Sequence, residues 1–446
     1  MSRDVNRRQF IAAATSAGVG LTLAGSVHAA DKTVDKPAML GGKPVRMTGG
    51  PSWPQVADKD EKAVLDVVRS GHWYRGGAVE QFEQAFARLH GAKYCVATSS
   101  GTAALFTSLG ALGVGPGDEV IVPPYTFMAT VSVTLLHYAM PVFVDTDPES
   151  FLMDPAKLEA AITDRTAAII PVHLGGSPAD LDRILAIGKK HNVPVIEDAC
   201  QAHLAQWRGR GVGSWGTTGC FSFQLSKNLC SGEGGAILTN DEAMANKCFA
   251  FHNCCRPRPG TSSGFVYDGG RNTNLRMTEL QGALLLSQMN GVEERAKTRA
   301  DNAAYLSSML REIPGIVPAR AYEGTTRNAY HHYMMRYRPE EFALLPRVKF
   351  IRAMRAEGVP CGEGYGPLNK ADFIRDAIHS RHYAKVYGKA AIDEWAARNE
   401  CPENDKLCAE GLWFSQTQLL APRTDMDEIA AAVRKIHAYA GDLAKA

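Results

Sequence analysis

The chain lacks the signals that would direct it to several common functions. Ten cysteines are present, yet none stand in a C-x-x-C pair, so the spacing of structural zinc sites is missing and no metal site is expected. Lysine and arginine number 49 against 47 acidic residues, a net charge of +2. So small an excess gives no electrostatic reason to expect nucleic acid or an acidic membrane surface as a partner. A helix-turn-helix pattern is absent, as are internal repeats and low-complexity segments. The one long apolar stretch, Ile11 to Leu23, is too short to cross a bilayer.

What is present suits a soluble globular protein of roughly two or three domains, with 446 residues, 45% of them hydrophobic and 22% charged. The apolar stretch follows Asn6-Arg7-Arg8-Gln9-Phe10-Ile11 and precedes Val27-His28-Ala29. Paired arginines, an apolar centre and a small-residue cleavage site occur in the order of an export signal. A buried N-terminal helix that happens to follow two arginines is the plainer alternative, but it leaves that order unexplained. Residues 1–29 therefore read as a twin-arginine signal peptide. It implies a periplasmic or secreted protein that folds before crossing and uses the twin-arginine export machinery. An oxidising compartment permits disulfides, with Cys401 and Cys408 a candidate pair,. Most other cysteines fall within strand or core patterns and read as small buried hydrophobes.

Beyond the signal, residues 30–75 form an N-terminal segment with Pro51 and Pro54. From Val79 the register turns helical, with Val79, Phe82, Phe86 and Leu89 on one face,. Apolar strands are then expected at Tyr94–Ala97, Val120–Val122, Val142–Val144, Ala167–Val172, Val193–Glu197, Cys220–Phe223 and Ala236–Leu238. Helical patterns alternate with them, among them Thr102 to Leu112 and Leu181 to His191. This alternation predicts a mostly parallel sheet covered on both faces, within a large domain over 76–300. Met277 to Arg295 reads as one long helix. A smaller α+β domain over 301–446 holds a strand at His332–Tyr337, a helix near Val348–Ala356 and a C-terminal helix. That helix carries Met426, Ile429, Val433 and Ile436 on one face, with Thr424 as its expected N-cap,.

The chemistry concentrates in three places. Lys227 follows the aromatic-rich run Phe221-Ser222-Phe223 and precedes Gly232-Glu233-Gly234-Gly235. A lone lysine is usually a solvated surface group, but low-dielectric neighbours would favour its neutral, nucleophilic form. Asp198 ends the apolar run Val193 to Ile196, at the carboxyl edge where open α/β sheets bind ligands. A buried carboxylate there needs a partner, and a pyridinium N–H would supply one. Thr98-Ser99-Ser100-Gly101-Thr102 separates a strand from a helix, placing free N–H groups where a phosphate is favoured. Each has a bland reading as cap, turn or surface residue. Together they fit pyridoxal phosphate, with Lys227 forming a Schiff base and Asp198 keeping the ring nitrogen protonated. Gly211-Val212-Gly213-Ser214-Trp215-Gly216 spells a dinucleotide fingerprint, but without a preceding strand or following helix it reads as a turn.

These residues resemble the DegT/DnrJ/StrS-type aminotransferases, enzymes of the fold-type-I pyridoxal phosphate class acting on keto sugars and cyclitols. The resemblance runs from about Gly71 to the C-terminal helix. Besides the Lys227 and Asp198 motifs it rests on Ser100-Gly101-Thr102-Ala103-Ala104-Leu105, Pro124-Tyr125-Thr126-Phe127 and Asn274-Leu275-Arg276-Met277-Thr278-Glu279-Leu280-Gln281. It implies a fold-type-I α/β transferase with Lys227 and Asp198 as catalytic residues. Phe127 would stack on the ring, Gln201 would meet the ring hydroxyl, and Gly101, Thr102 and Ser222 would hold the phosphate. Asn274 resembles the asparagine that reaches a neighbour's phosphate, which implies a homodimer. The implied reaction carries an amino group from glutamate or glutamine to a keto sugar or cyclitol. Elimination or racemisation on the same cofactor, and a non-catalytic sensor, are the alternatives. The lysine separates the chain from the family's dehydratases, which have histidine there. Two positions depart from the pattern: Gly175, where an aromatic often follows His173-Leu174, and Asn272, where glycine is usual. The short link from Lys227 to Gly232 leans toward the cyclitol- and glutamine-using branch.

The export expectation is directly testable. Replacing Arg7 and Arg8 by lysine should trap uncleaved, cofactor-loaded, active protein in the cytoplasm, because the signal is an address and not part of the fold. Cell fractionation reads the outcome. Mature holoprotein in the periplasm despite both lysines would refute the assignment.

Overall fold

Short apolar runs too brief for helices assemble as the central sheet. In the computed structural model, which describes residues 34–261, 264 and 271–446, its strands are β1 (Tyr94–Thr98), β2 (Glu119–Val122), β3 (Met140–Phe143), β4 (Thr166–Ile169), β5 (Ile196–Asp198), β6 (Thr218–Ser222) and β7 (Gly235–Thr239). The proposed signal peptide lies outside the described residues. Hydrogen bonding gives a four-stranded part, β1-β7-β6-β5, and a three-stranded part, β3-β2-β4. Parallel bridges from Ile169 to Val195 and from Val172 to Asp198 join β4 to β5. The sheet is thus mostly parallel, and only β7 runs against its neighbours.

Side-chain alternation covers both faces. On β6 and β7, Cys220 and Ile237 enter one apolar cluster, while Phe221, Ala236 and Leu238 enter the cluster on the opposite side. Helix α1 (Asp58–Ser70) precedes the helices that cover the sheet, which include α2 (Gly77–His90), α3 (Gly101–Ala111), α4 (Ala129–Leu136), α5 (Leu181–His191) and α6 (Glu242–His252). Phe82 and Phe86 of α2 meet Phe223 edge-on at 5.2 Å, an aromatic contact that seats α2 behind the Lys227 segment,.

The single helix expected over Met277 to Arg295 is instead two, α7 (Glu279–Met289) and α8 (Val292–Leu310). Asn290 adopts extended angles and Gly291 a φ of +85°, a left-handed turn that glycine enters without a steric cost. Apolar spacing continues across the break and hides it from a periodicity reading.

Residues of α8 pack into a second core with the antiparallel strands β8 (Ile316–Pro318), β9 (His332–Tyr337) and β10 (Gly411–Ser415). Helices α9 (Arg347–Ala356) and α10 (Arg423–Ala438) complete it. Thr424 is not the cap of α10: Pro422 holds that place without a side-chain bond, and Thr424 lies in the first turn. Between α9 and β10 the chain returns to the large core, where Ile374, Ile378, Tyr383, Ile392 and Trp395 join Val120 and Val122. All ten cysteines are free, Cys401 and Cys408 included.

The segment from Val34 to Trp53 braces the two cores. Glu357, fully buried, accepts the N–H groups of Ala38 and Val45 at 2.7 and 3.0 Å. Arg46 pairs with Asp425 and Glu428 on α10. Trp53 then donates its indole N–H to the Leu225 carbonyl at 2.8 Å, two residues before Lys227.

Next to Asp198, Glu197 is wholly buried. It accepts from the Gly213, Trp215 and Gly216 N–H groups at 2.6–2.7 Å and from His173 Nε2 at 2.9 Å. His173 Nδ1 accepts the Ala179 N–H at 3.0 Å, which leaves the ring proton on Nε2,. The turn that spells a dinucleotide fingerprint therefore wraps the chain's own carboxylate. A short strand does precede it, Gln206–Trp207 paired with Arg210–Gly211, but the ligand of its N–H groups is Glu197.

Removing that carboxylate would leave three backbone donors and the His173 Nε2–H without partners. Glu197→Ala should lower stability by about 3–5 kcal/mol, read from the shift in urea midpoint. Burial pushes the Glu197 pKa up, but the bonds from His173 and the turn outweigh it and hold it below the ordinary range. Its contribution is thus present above about pH 4.5 and lost as pH falls through the lowered value. Glu197→Gln should lack that acid-dependent part.

Candidate active site

The carboxyl ends of β1, β5 and β6 open onto one cavity of about 560 Å³. Seven of the eight residues expected from sequence line it: Gly101, Thr102, Phe127, Asp198, Gln201, Ser222 and Lys227. Asn274 does not. It is exposed and forms a bridge to Asn253, while the neighbouring Leu275 carbonyl accepts the Ser99 N–H at 2.8 Å.

Helix α3 begins at the cavity. Ser100 caps it by accepting the Ala103 N–H at 3.0 Å. The N–H groups of Gly101 and Thr102, in the first turn, have no intrahelical acceptor by position. A Cβ on Gly101 would lie 2.7 Å from Ser222 Cβ and 2.8 Å from Cys200 Sγ. Only glycine lets the helix start press so closely on the strand ends. Unsatisfied donors at a helix N-terminus, with Thr102 and Ser222 hydroxyls beside them, fit a phosphate dianion.

Asp198 is held from two sides. Thr130 Oγ1 donates to Oδ2 at 2.8 Å and the Cys200 N–H to Oδ1 at 3.2 Å. Thr126 lies 3.1 Å from Thr130, so the first turn of α4 orients the carboxylate. With 4% of its surface exposed, the acid retains lone pairs only for a group inside the cavity. A protonated pyridine nitrogen fits that demand. Phe127, about half exposed at 53%, offers a free ring face for an aromatic ligand.

Lys227 is half-buried. Burial lowers its pKa, and the facing Cys200 and Asp198 only partly oppose this. The donor set and the apolar face together match what pyridoxal phosphate requires.

Several lining residues were not found by sequence reasoning. Tyr365, His331 and His332 lie far along the chain, with no linear motif to mark them. His332 lies flat on Trp413, with ring centres 4.3 Å apart. Burial and the Lys227 charge push its pKa down to about 3, so it is neutral. Thr126 and Thr130 carried a faint signal, four residues apart beside Phe127. Gly175 does not enlarge the cleft: a Cβ there would lie 2.8 Å from Met334, whose side chain fills the space. Asn272 is exposed and outside the cavity.

The chain matches the profile described as DegT/DnrJ/EryC1/StrS aminotransferase family over residues 54–434. It is 37% identical over 420 residues to the L-glutamine:2-deoxy-scyllo-inosose aminotransferase of Streptomyces lividus, covering 91% of this chain and 98% of that protein. The L-glutamine:scyllo-inosose aminotransferase of Streptomyces griseus is 37% identical over 413 residues, with 90% and 97% covered. Among solved structures, 3-amino-5-hydroxybenzoic acid synthase superposes with a TM-score of 0.77 at 30% identity, covering 88% of this chain and 99% of that one.

Proposed function

The chain belongs to the DegT/DnrJ/EryC1/StrS aminotransferase family and is a pyridoxal phosphate-dependent aminotransferase; from that premise we propose that it transfers the amino group of glutamine to the keto group of a cyclitol. The observation that carries this reading is the convergence of Lys227, Asp198 and the start of α3 on one cavity. The relatives' names favour glutamine as donor and an inosose-type ketone as acceptor. Gln224, Ser226, Glu233, His331 and His332 line the same cavity and suit a polyhydroxylated ring.

When bound, pyridoxal phosphate supplies an electron sink that makes a substrate C–H bond acidic. The chain's residues supply the rest. First-turn N–H groups of α3, with Thr102 and Ser222, would hold the phosphate. Asp198 would keep the pyridine nitrogen protonated, and Phe127 would cover a ring face. Lys227 would hold the cofactor aldehyde through its Nζ, which burial shifts toward the neutral form. Once displaced by donor, the same Nζ would take a proton from the substrate carbon and return it. Donor and acceptor then use one cavity in turn, which gives ping-pong kinetics.

Homodimerisation and export are parts of the same proposal. Phe127, Met128 and Leu225 are large apolar side chains left 53%, 51% and 48% exposed on segments at the cavity. A second copy would cover them and present its Asn274 to the neighbouring phosphate. The arginine pair and apolar stretch favour a periplasmic location.

Two substitutions test the site. Lys227→Ala should abolish borohydride-fixable cofactor and donor-dependent turnover, because no other lining amine can replace it. A variant that keeps both would refute the role. Asp198→Ala should fold and load cofactor but turn over at least about a hundredfold more slowly, the scale of one positioned electrostatic partner. Near-native turnover in loaded protein would contradict it.

A further inference from the structure

The side-chain amide of Gln201 is oriented from both ends. Its Oε1 accepts the Gly175 N–H at 2.8 Å, and its Nε2 donates to Tyr365 Oη at 3.0 Å. Exchanging the two amide atoms would set an N–H against the Gly175 N–H, so the chemistry fixes the assignment. Nε2 carries a second hydrogen, and Gln201 lines the cavity. The group it can offer a ligand is therefore a donor.

Tyr365 lines the cavity as well. Its oxygen already accepts from Gln201, so its own proton is available to a further acceptor. Burial pushes its pKa up to about 12, so that proton stays in place at working pH. The loop that carries it is tightly held. The Tyr365 N–H donates to Tyr125 Oη at 3.2 Å. Gly364 has a φ of +82°, and a Cβ there would lie 2.3 Å from the same oxygen. The Tyr365 ring meets Trp413 at 4.9 Å and Tyr125 at 5.7 Å.

We propose that Tyr365 is a further binding residue at the phenolic oxygen of the cofactor ring, aligning the Gln201 donor and adding its own hydroxyl as a second one. The inference rests on the pyridoxal phosphate reading above. Through this pair the loop that carries Tyr365 sets the acidity of the proton shared between the ring oxygen and its neighbour. Donors to an oxyanion favour its charged form. Removing one leaves more uncompensated charge, which holds the adjacent proton more tightly.

The test is a pH titration of the visible cofactor band in purified holoprotein. Tyr365→Phe keeps the ring packing and removes only the oxygen. It should raise the midpoint by about one pH unit, and Gln201→Leu should move it the same way. Tyr333→Phe is the control, since it loses a buried hydroxyl bonded to Ser307 at 2.7 Å outside the cavity, and it should leave the midpoint unchanged. An unmoved midpoint in loaded Tyr365→Phe, or an equal shift in Tyr333→Phe, overturns the proposal. Should Tyr365→Phe fail to hold cofactor, Gln201→Leu decides by the same criterion. A wild-type protein with no cofactor band would instead overturn the functional reading itself.

Discussion

A carboxylate with no access to water must have its charge met by the protein, and the region around the active site is arranged to meet that of Glu197. Three N–H groups of the turn before β6 and the His173 ring close around it. That fixes β5 relative to the segments on either side of it. Asp198 is the next residue, and Gln201 follows within the same turn of chain. His173 also begins the tight turn whose Gly175 N–H engages Gln201. The geometry of the chemical groups thus descends from an ion that touches no ligand. Its cost in desolvation is offset by four donors, the condition under which a buried charge is tolerated.

The second constraint is proximity at the helix start. Gly101 allows α3 to abut Ser222 and Cys200, which brings the unpaired donors of a helix start into the same cavity as an acid and an amine,. Neither the helix nor the strands could supply this alone. Residues far along the chain close the other side: Tyr365, His331 and His332.

Much of this was legible in the sequence, and the exceptions have physical causes. The strands of the central sheet appeared as apolar runs because a sheet buried on both faces has no polar alternation to confuse them. Lys227, Asp198 and Gly101 were legible because their chemistry demands specific neighbours within a few residues. Tyr365 and His332 were not, since they act only after the chain has folded back over more than a hundred positions. The break between α7 and α8 was missed because Asn290-Gly291 interrupts the backbone without interrupting the apolar spacing. The cap of α10 was misplaced because Thr424 has a capping side chain but sits inside the first turn rather than before it. At 211–216 the expected turn is present, but its N–H groups bind an anion the sequence does not reveal, the chain's own Glu197.

The brace from Val34 to Trp53 has a practical bearing on how the protein is handled. The profile shared with relatives begins at residue 54, and a truncation placed there would look natural. It would delete two of the donors to Glu357 and the Arg46 contacts to α10, together with the indole that holds the Leu225 carbonyl beside Lys227. Trimming for crystallisation, or fusing a tag close to Ala38, would therefore loosen the lysine loop from a distance. An affinity tag is better carried at the C-terminus, where Ala446 is exposed.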